Sequence, residues 1–243
     1  MSKSLKNKNV VMANPLVRSA QCLTLNEKRV VMAAVAKMQG VNQEITISAE
    51  EFASTYGLTI NETYECLKEG VLHLRKRWVS MQIRDVDAKG RECLWIGEAN
   101  WTQGAFYNKG LGSVRFKFSD YVHPYLFDLQ KNFTAYKLSQ ASSLRSVHSW
   151  RLLELFEQQN IFDKDGYRWL KLSIDEAHHA FESGDSYKKT FGLFRKYVLE
   201  TAIKELILKD NWLIEFTPIK RGRKFEMLEF RYKRNEQLAL NFS

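Results

Sequence analysis

Apolar residues recur at helical spacing along some stretches of the chain and alternate along others, and the switches between the two periods mark out its elements. Leu25, Val31, Ala34, Val35 and Met38 share one face of a helix expected from about Leu25 to Met38, which Gly40 and Asn42 stop. Glu44 to Ile47 reads as a short strand leading into Ser48-Ala49-Glu50-Glu51, whose serine and last glutamate have the spacing of a capping box at a helix start. After Gly57 and Asn61 a longer helix is expected to reach Trp78, with Tyr64, Leu67, Val71, Leu74 and Trp78 as its core face. From Val79 the period drops to two. Strand-like runs cover Val79 to Val86, Glu92 to Ile96 and Val114 to Phe118, with breaks at Ala88-Lys89-Gly90 and Gly110-Leu111-Gly112, so a hairpin and then a third strand are expected.

The same order then returns. A helix from about Val147 to Gln159 precedes a strand from Trp169 to Leu172 and a second box, Ser173-Ile174-Asp175-Glu176. A short helix to about Phe181 follows, and beyond Gly184 a single long helix is expected from about Tyr187 to Lys209. Strands from Trp212 to Thr217 and Glu226 to Tyr232 close the half. One such box is a weak signal, but the same box between a strand and a helix pair, with a hairpin after it, in both halves argues for a structural repeat. A helix-turn-helix with an attached hairpin is a winged helix, whose second helix suits a DNA major groove and whose hairpin suits the neighbouring backbone. The expected fold class is therefore α+β, two tandem winged-helix domains; an unrelated α+β arrangement is the alternative. Residues 1–13 are expected to be a basic N-terminal tail, 14–131 the first domain and 132–243 the second, a division that suits a chain of 243 residues.

Charge narrows the partner. Lys and Arg number 37 against 28 Asp and Glu, a formal net charge of +9, which favours a polyanion. A membrane surface is the weaker choice, because no apolar run approaches the roughly 18 residues needed to span. The start MSKSLKNKNVV also lacks the apolar core of a signal peptide, so a cytoplasmic protein is expected. Cys22, Cys66 and Cys93 are odd in number, widely spaced and form no CxxC pair, which points to neither a disulfide framework nor a zinc site.

The cations that matter most are expected between Lys188 and Lys224. On the long second-half helix, Lys188, Lys189, Arg195 and Lys196 fall within an arc of about 120°, with Gly192 near its middle, while Phe191, Phe194, Val198 and Thr201 lie opposite and anchor it. Lysines at a helix N-terminus oppose the macrodipole, so Lys188 and Lys189 there would be explained by a phosphate partner. A glycine at 192 would let DNA approach closely. The hairpin turn carries Lys220, Arg221, Arg223 and Lys224 around Gly222, whose mutual repulsion phosphates would relieve. In the first half, Glu62, Glu65 and Glu69 occupy the outward arc, so only weaker DNA contacts are expected there, from Arg75, Lys76 and Arg77 at the helix end and Lys89 and Arg91 in the hairpin. An ordinary solvated charged face is the plain alternative for any one of these helices.

Enzymatic chemistry finds little support. There is no G-x-x-x-x-G-K-[ST] cradle and no G-x-G-x-x-G after a strand. His178 and His179 are adjacent and so face different sides of a helix, unlike a metal-binding pair, and Asp175 and Glu176 suit a helix first turn. No enzyme activity, cofactor or metal is expected.

Three segments carry a family resemblance. Asn14-Pro15-Leu16-Val17 with Leu23-Thr24-Leu25-Asn26-Glu27-Lys28-Arg29 resembles the opening of the replication initiators of theta-replicating, iteron-containing plasmids. Ser146 to Phe156 is similar to the helix that opens that family's second domain, and Phe194 to Leu206 to its C-terminal recognition helix. The resemblance implies binding to directly repeated double-stranded origin sites (iterons), help in opening the origin, and recruitment of host replication proteins such as a helicase or initiator. It also implies monomer and dimer forms, the first domain supplying the dimer interface and the dimer repressing its own gene at an inverted repeat. A dimeric winged-helix repressor is the runner-up, and a nicking enzyme a third class.

Overall fold

The computed structural model describes residues 4–40, 43–127 and 129–235, so the helix stop expected at Asn42 lies outside the described residues. The chain divides into two units, 1–142 and 143–243.

Unit 1 begins with β1 (Asn9–Ala13) and α1 (Asn14–Arg18), continues through α2 (Leu25–Lys37), β2 (Ile45–Ser48), α3 (Ala49–Tyr56) and α4 (Ile60–Leu74), and then runs through β3 (Trp78–Val86), β4 (Glu92–Asn100), β5 (Thr102–Asn108), β6 (Ser113–Phe118), β7 (Phe133–Lys137) and α5 (Leu138–Ser142). The expected basic tail is corrected here. β1 pairs antiparallel with β7, Val10 facing Tyr136 and Met12 facing Thr134, with Val10 and Met12 fully buried. β7 therefore belongs to the first unit, and the division expected between 131 and 132 falls after Ser142. Four apolar residues are too few to show a period, and the partner that makes them a strand lies more than 120 residues away.

Local chemistry explains the helix starts. Thr24 accepts from the Glu27 backbone N–H while Glu27 accepts from the Thr24 N–H, and Thr59 and Glu62 repeat this reciprocal box at α4. At α3 only half of the expected box forms: Ser48 caps Glu51, but the Glu51 carboxylate turns to Lys37 at 2.6 Å. Of the expected α4 core face, Leu67, Val71 and Leu74 are fully buried, whereas Tyr64 and Trp78 lie more than a third exposed.

Unit 2 consists of α6 (Val147–Glu157), β8 (Arg168–Ser173), α7 (Ile174–Ala180), α8 (Asp185–Lys189), α9 (Phe191–Phe194), a π-helical turn (Arg195–Leu199), α10 (Glu200–Asp210), β9 (Trp212–Arg221) and β10 (Lys224–Arg234). The sheet order is β8-β10-β9. Phe156, from α6, packs against this sheet, stacked on Tyr232 at 3.7 Å and flanked by Trp212 and Phe230, while the Tyr232 hydroxyl donates to the Phe156 carbonyl at 3.0 Å. The Ser173–Glu176 box forms in full.

The two sheets show which elements correspond. Unit 1 has the order β2-β6-β5, matching β8-β10-β9, so β5–β6 is the counterpart of the second-unit wing. The hairpin expected to fill that role, β3–β4, is a separate two-stranded sheet inserted after α4. β5 escaped the period-two pattern because it bulges between Thr102 and Gly104. Trp101, fully buried and donating its indole N–H to the Gln21 carbonyl at 2.8 Å, turns the chain from β4 into β5.

Candidate nucleic-acid interface

The single long helix expected from Tyr187 to Lys209 is broken at Thr190, whose φ of −131° and ψ of 94° are extended. Lys188 and Lys189 consequently lie in the last turn of α8, where a helix C-terminus favours cations. The macrodipole penalty expected for them does not exist, and their case rests on position alone. Lys188 sits beside His178, whose imidazole is 4.4 Å from the Phe194 ring. Burial, assisted by the Lys188 ammonium, holds the His178 pKa below the ordinary histidine value. His179 is exposed on the other side of α7, as adjacency requires.

From Phe191 onward the chain forms one continuous outward face. Phe194, Val198, Leu199, Ala202 and Leu206 are buried and anchor the helical run, whereas Gly192, Leu193, Arg195, Lys196 and Tyr197 are exposed. Of the expected anchors, Thr201 is exposed and Phe191 half-buried. Within the π turn the wider winding brings positions five apart together, and Arg195 pairs with Glu200 at 2.7 Å, both nearly half exposed. An exposed pair of this kind is worth at most about 1 kcal/mol, so a phosphate or a guanine edge can compete for the guanidinium.

A Cβ placed on Gly192 meets nothing within 4 Å, and its φ is not positive, so nothing inside the chain requires glycine. Gly192→Ala is expected to leave unit 2 as stable or up to about 1 kcal/mol more stable, since alanine is the better helix former. Any loss of affinity for duplex DNA would then belong to the partner; thermal unfolding and a binding titration on the same sample check both halves.

The wing is β9–β10, closed by Gly222-Arg223 between Arg221 and Lys224, which pair across the ladder. Gly222 has a φ of +62° while Arg223 does not share the left-handed region, the arrangement of the two-residue hairpin turn that places glycine first. Its four cations are not equivalent. Arg221 reaches Glu226 at 3.3 Å, and the Lys220 ammonium lies 4.7 Å from the centre of the Phe225 ring. Arg223 and Lys224 are exposed and, like Lys189, have no ion-pair partner among the described residues.

One residue outside the sequence-based set ties the two parts together. Phe225, from β10, stacks on Phe191 at 4.0 Å and carries Lys220 nearby, so the start of α9 and the base of the wing share an aromatic contact. The patch is thereby held as one surface, with Lys188, Lys189, Gly192, Arg195 and Lys196 on the helical side and Lys220, Arg221, Arg223 and Lys224 on the hairpin. Sequence offered only a weak signal for Phe225, an aromatic beside a cationic turn.

Unit 1 is less well equipped. Arg77 is committed to Glu27, its Nε 2.9 Å from the carboxylate, which also caps α2; it is a structural cation rather than an available one. Arg75 and Lys76 are exposed at the end of α4. Lys89 and Arg91 sit at the tip of β3–β4, the inserted hairpin, and Arg91 pairs with Asp87 at 2.7 Å. The positional equivalent of the second-unit wing tip is instead Lys109-Gly110-Leu111-Gly112, which carries one cation. Gly112 is fixed there by a φ of +52° and by the Tyr64 ring, which a Cβ would overlap. Glu62, Glu65 and Glu69 are exposed along α4, the counterpart of the second-unit recognition helix.

No helix among the described residues is long and apolar enough to cross a membrane. Nor is any group of three or more His, Cys, Asp and Glu side chains among the described residues disposed to hold a metal ion.

Comparison with known proteins bears on the whole chain. Residues 9–157 match the model of the initiator replication protein WH1 domain, and residues 173–232 that of the initiator Rep protein WH2 domain. Among solved structures, the Pi initiator protein in complex with iteron DNA aligns with a TM-score of 0.76 at 23% identity, covering 95% of this chain and 99% of that one. The WH1 domain of MSBI1.176, a replication protein isolated from a multiple sclerosis patient, aligns over 49% of this chain and 84% of that one at 20% identity and a TM-score of 0.38. The first of these establishes likeness of fold.

Proposed function

Because the chain belongs to the initiator replication protein family and carries both of its winged-helix domains, we propose that it is a plasmid replication initiator that binds iterons, directly repeated duplex sites at an origin, mainly through unit 2. The observation that carries this reading is the outward patch of cations on the α9 segment and the β9–β10 wing, joined by the Phe191–Phe225 stack. A helix run with an open glycine suits the major groove, and a cationic wing suits the flanking phosphates. That the similarly folded Pi initiator was solved with iteron DNA supports the same assignment. Opening of the origin and recruitment of host replication proteins such as a helicase complete the proposed role, which is carried out in the cytoplasm and involves no catalytic step or cofactor. Selection from a random duplex library followed by footprinting is expected to return a motif bound as direct repeats. Divalent-metal-dependent cleavage of a supercoiled plasmid carrying that motif would contradict the reading.

A second role, repression as a dimer at an inverted repeat, is favoured by the inserted hairpin of unit 1. β3–β4 is a two-stranded sheet with β4 at an open edge, and Leu94, Trp95 and Ile96 on β4 and Val86 at the end of β3 are 51–75% exposed. A lone hairpin is marginal in water, and an open apolar edge invites a second copy in a symmetric, isologous pairing. Trp95→Glu with Ile96→Glu is expected to convert a dimer to a monomer in sedimentation while a single repeat is bound as before. An unchanged sedimentation profile would remove the hairpin from the interface.

A further inference from the structure

Leu193 and Tyr197 lie four residues apart on the outward face of the α9 segment, 39% and 52% exposed, beside Gly192, Arg195 and Lys196. Neither is needed for anchoring, which Phe194, Val198 and Leu199 already provide from full burial. Leu193 and Tyr197 stand here as two large, largely apolar side chains set among cations. The Lys196 ammonium, 5.3 Å from the Tyr197 ring centre, partly orients that ring. A membrane or protein partner would call for a broader apolar surface than two side chains surrounded by positive charge. A DNA major groove offers what this face lacks: phosphates for the cations and, in its floor, one kind of apolar group, the 5-methyl of thymine.

We propose that Leu193 and Tyr197 read thymine methyl groups, each burying one methyl against its side chain, and so set part of the sequence preference of unit 2. The inference rests on the proposed duplex binding and adds the base chemistry to it. Leu193 lies in α9 and Tyr197 about one turn further on, in the π turn, an advance of roughly 5 Å, which places the two thymines one to two base-pair steps apart.

The test uses the full chain and the duplex motif selected from a random library. Deoxyuridine replaces each thymine in turn, removing a methyl and nothing else. Two positions one to two steps apart are expected to weaken binding roughly four-fold each, the effect of one methyl group. One of these effects should vanish in Leu193→Ala and the other in Tyr197→Ala, while Tyr197→Phe should keep its dependence because the ring and not the hydroxyl makes the contact. Both positions are exposed and alanine favours helix, so the variants should fold; circular dichroism checks this. Deoxyuridine tolerated at every position, or effects that persist unchanged in both alanine variants, would overturn the inference, and if Lys189→Ala and Arg223→Ala still weaken binding the DNA-binding reading survives it. Failure of the cation variants to weaken binding, or failure to select any motif, would overturn both.

Discussion

Replacing Lys189, Arg223 and Lys224 together with alanine is expected to weaken duplex binding about a hundred-fold at physiological salt and to make the slope of log K against log salt shallower by about 2.7. Each phosphate neutralised by a side chain releases condensed counterions and contributes about 0.9 to that slope, so removing three such cations accounts for the change. These three side chains are chosen because they are exposed and engaged with no carboxylate among the described residues, so their removal takes nothing from the fold. Arg221→Ala should do less, since part of its charge is already matched by Glu226. The wild-type slope itself, with about four to six phosphates engaged, is expected near −4 to −5, and anisotropy titrations across a salt series measure both values. A slope that stays put in the triple variant would remove these residues from the phosphate-binding set. Arg77→Ala provides the contrast: it breaks a bond to a carboxylate that is 1% exposed, and should lower stability while leaving the slope alone.

The largest effect on stability is expected inside unit 2, from Glu154→Ala. Glu154 is fully buried and accepts from Arg151 at 2.8 Å, with the arginine only 3% exposed. The Arg151 Nε also donates to the Ala180 carbonyl at 3.0 Å, so the pair ties α6 to the end of α7, just ahead of the α8 and α9 segments. Removing the carboxylate takes from a buried guanidinium an ion-pair partner at 2.8 Å that helps make its burial tolerable, a change that costs about 3 to 5 kcal/mol. Against a total of about 5 to 15 kcal/mol for a domain, that is enough to shift the urea transition of this unit well below that of the wild type. Arg151→Met combined with Glu154→Leu should recover most of the loss, because apolar side chains of similar volume remove both charges at once. A single Glu154→Ala variant destabilised by less than about 1 kcal/mol would show that the pair is solvated in solution.

How much of this was legible beforehand can be followed element by element. The Ser173–Glu176 box, the burial of Val31, Ala34 and Val35 on α2 and the cationic turn at Gly222 all depend on neighbours within a few residues, and the sequence-based expectations for them hold, whereas Leu25 and Met38, expected on the same α2 face, are only half-buried. The unbroken helix from Tyr187 does not. Nothing in its periodicity marks Thr190, and the break moved Lys188 and Lys189 from a helix start to a helix end, reversing the electrostatic reason offered for them. Nor could the alternation that revealed β3–β4 show that this hairpin stands apart from the three-stranded sheet, because alternation reports which residues share a face and not which strand lies alongside. Lys89 and Arg91 were placed on a wing for that reason.

For this chain, then, sequence alone determined the class of the fold, the tandem order of its two units, the capping box at Ser173 and the position of its densest positive charge. Each follows from local spacing, and the free energies of capping and amphipathic burial act over one or two turns. Only the tertiary structure decided that β1 and β7 belong to one unit, that β5–β6 is the first wing, that Arg77 is held by Glu27, and that Phe225 joins wing to helix. The contacts that decide these points, Phe191 with Phe225, Glu27 with Arg77, β2 with β6 and β1 with β7, span from about thirty to more than a hundred residues, where no local period reaches and the partner is chosen by packing and by the need to satisfy every buried backbone group.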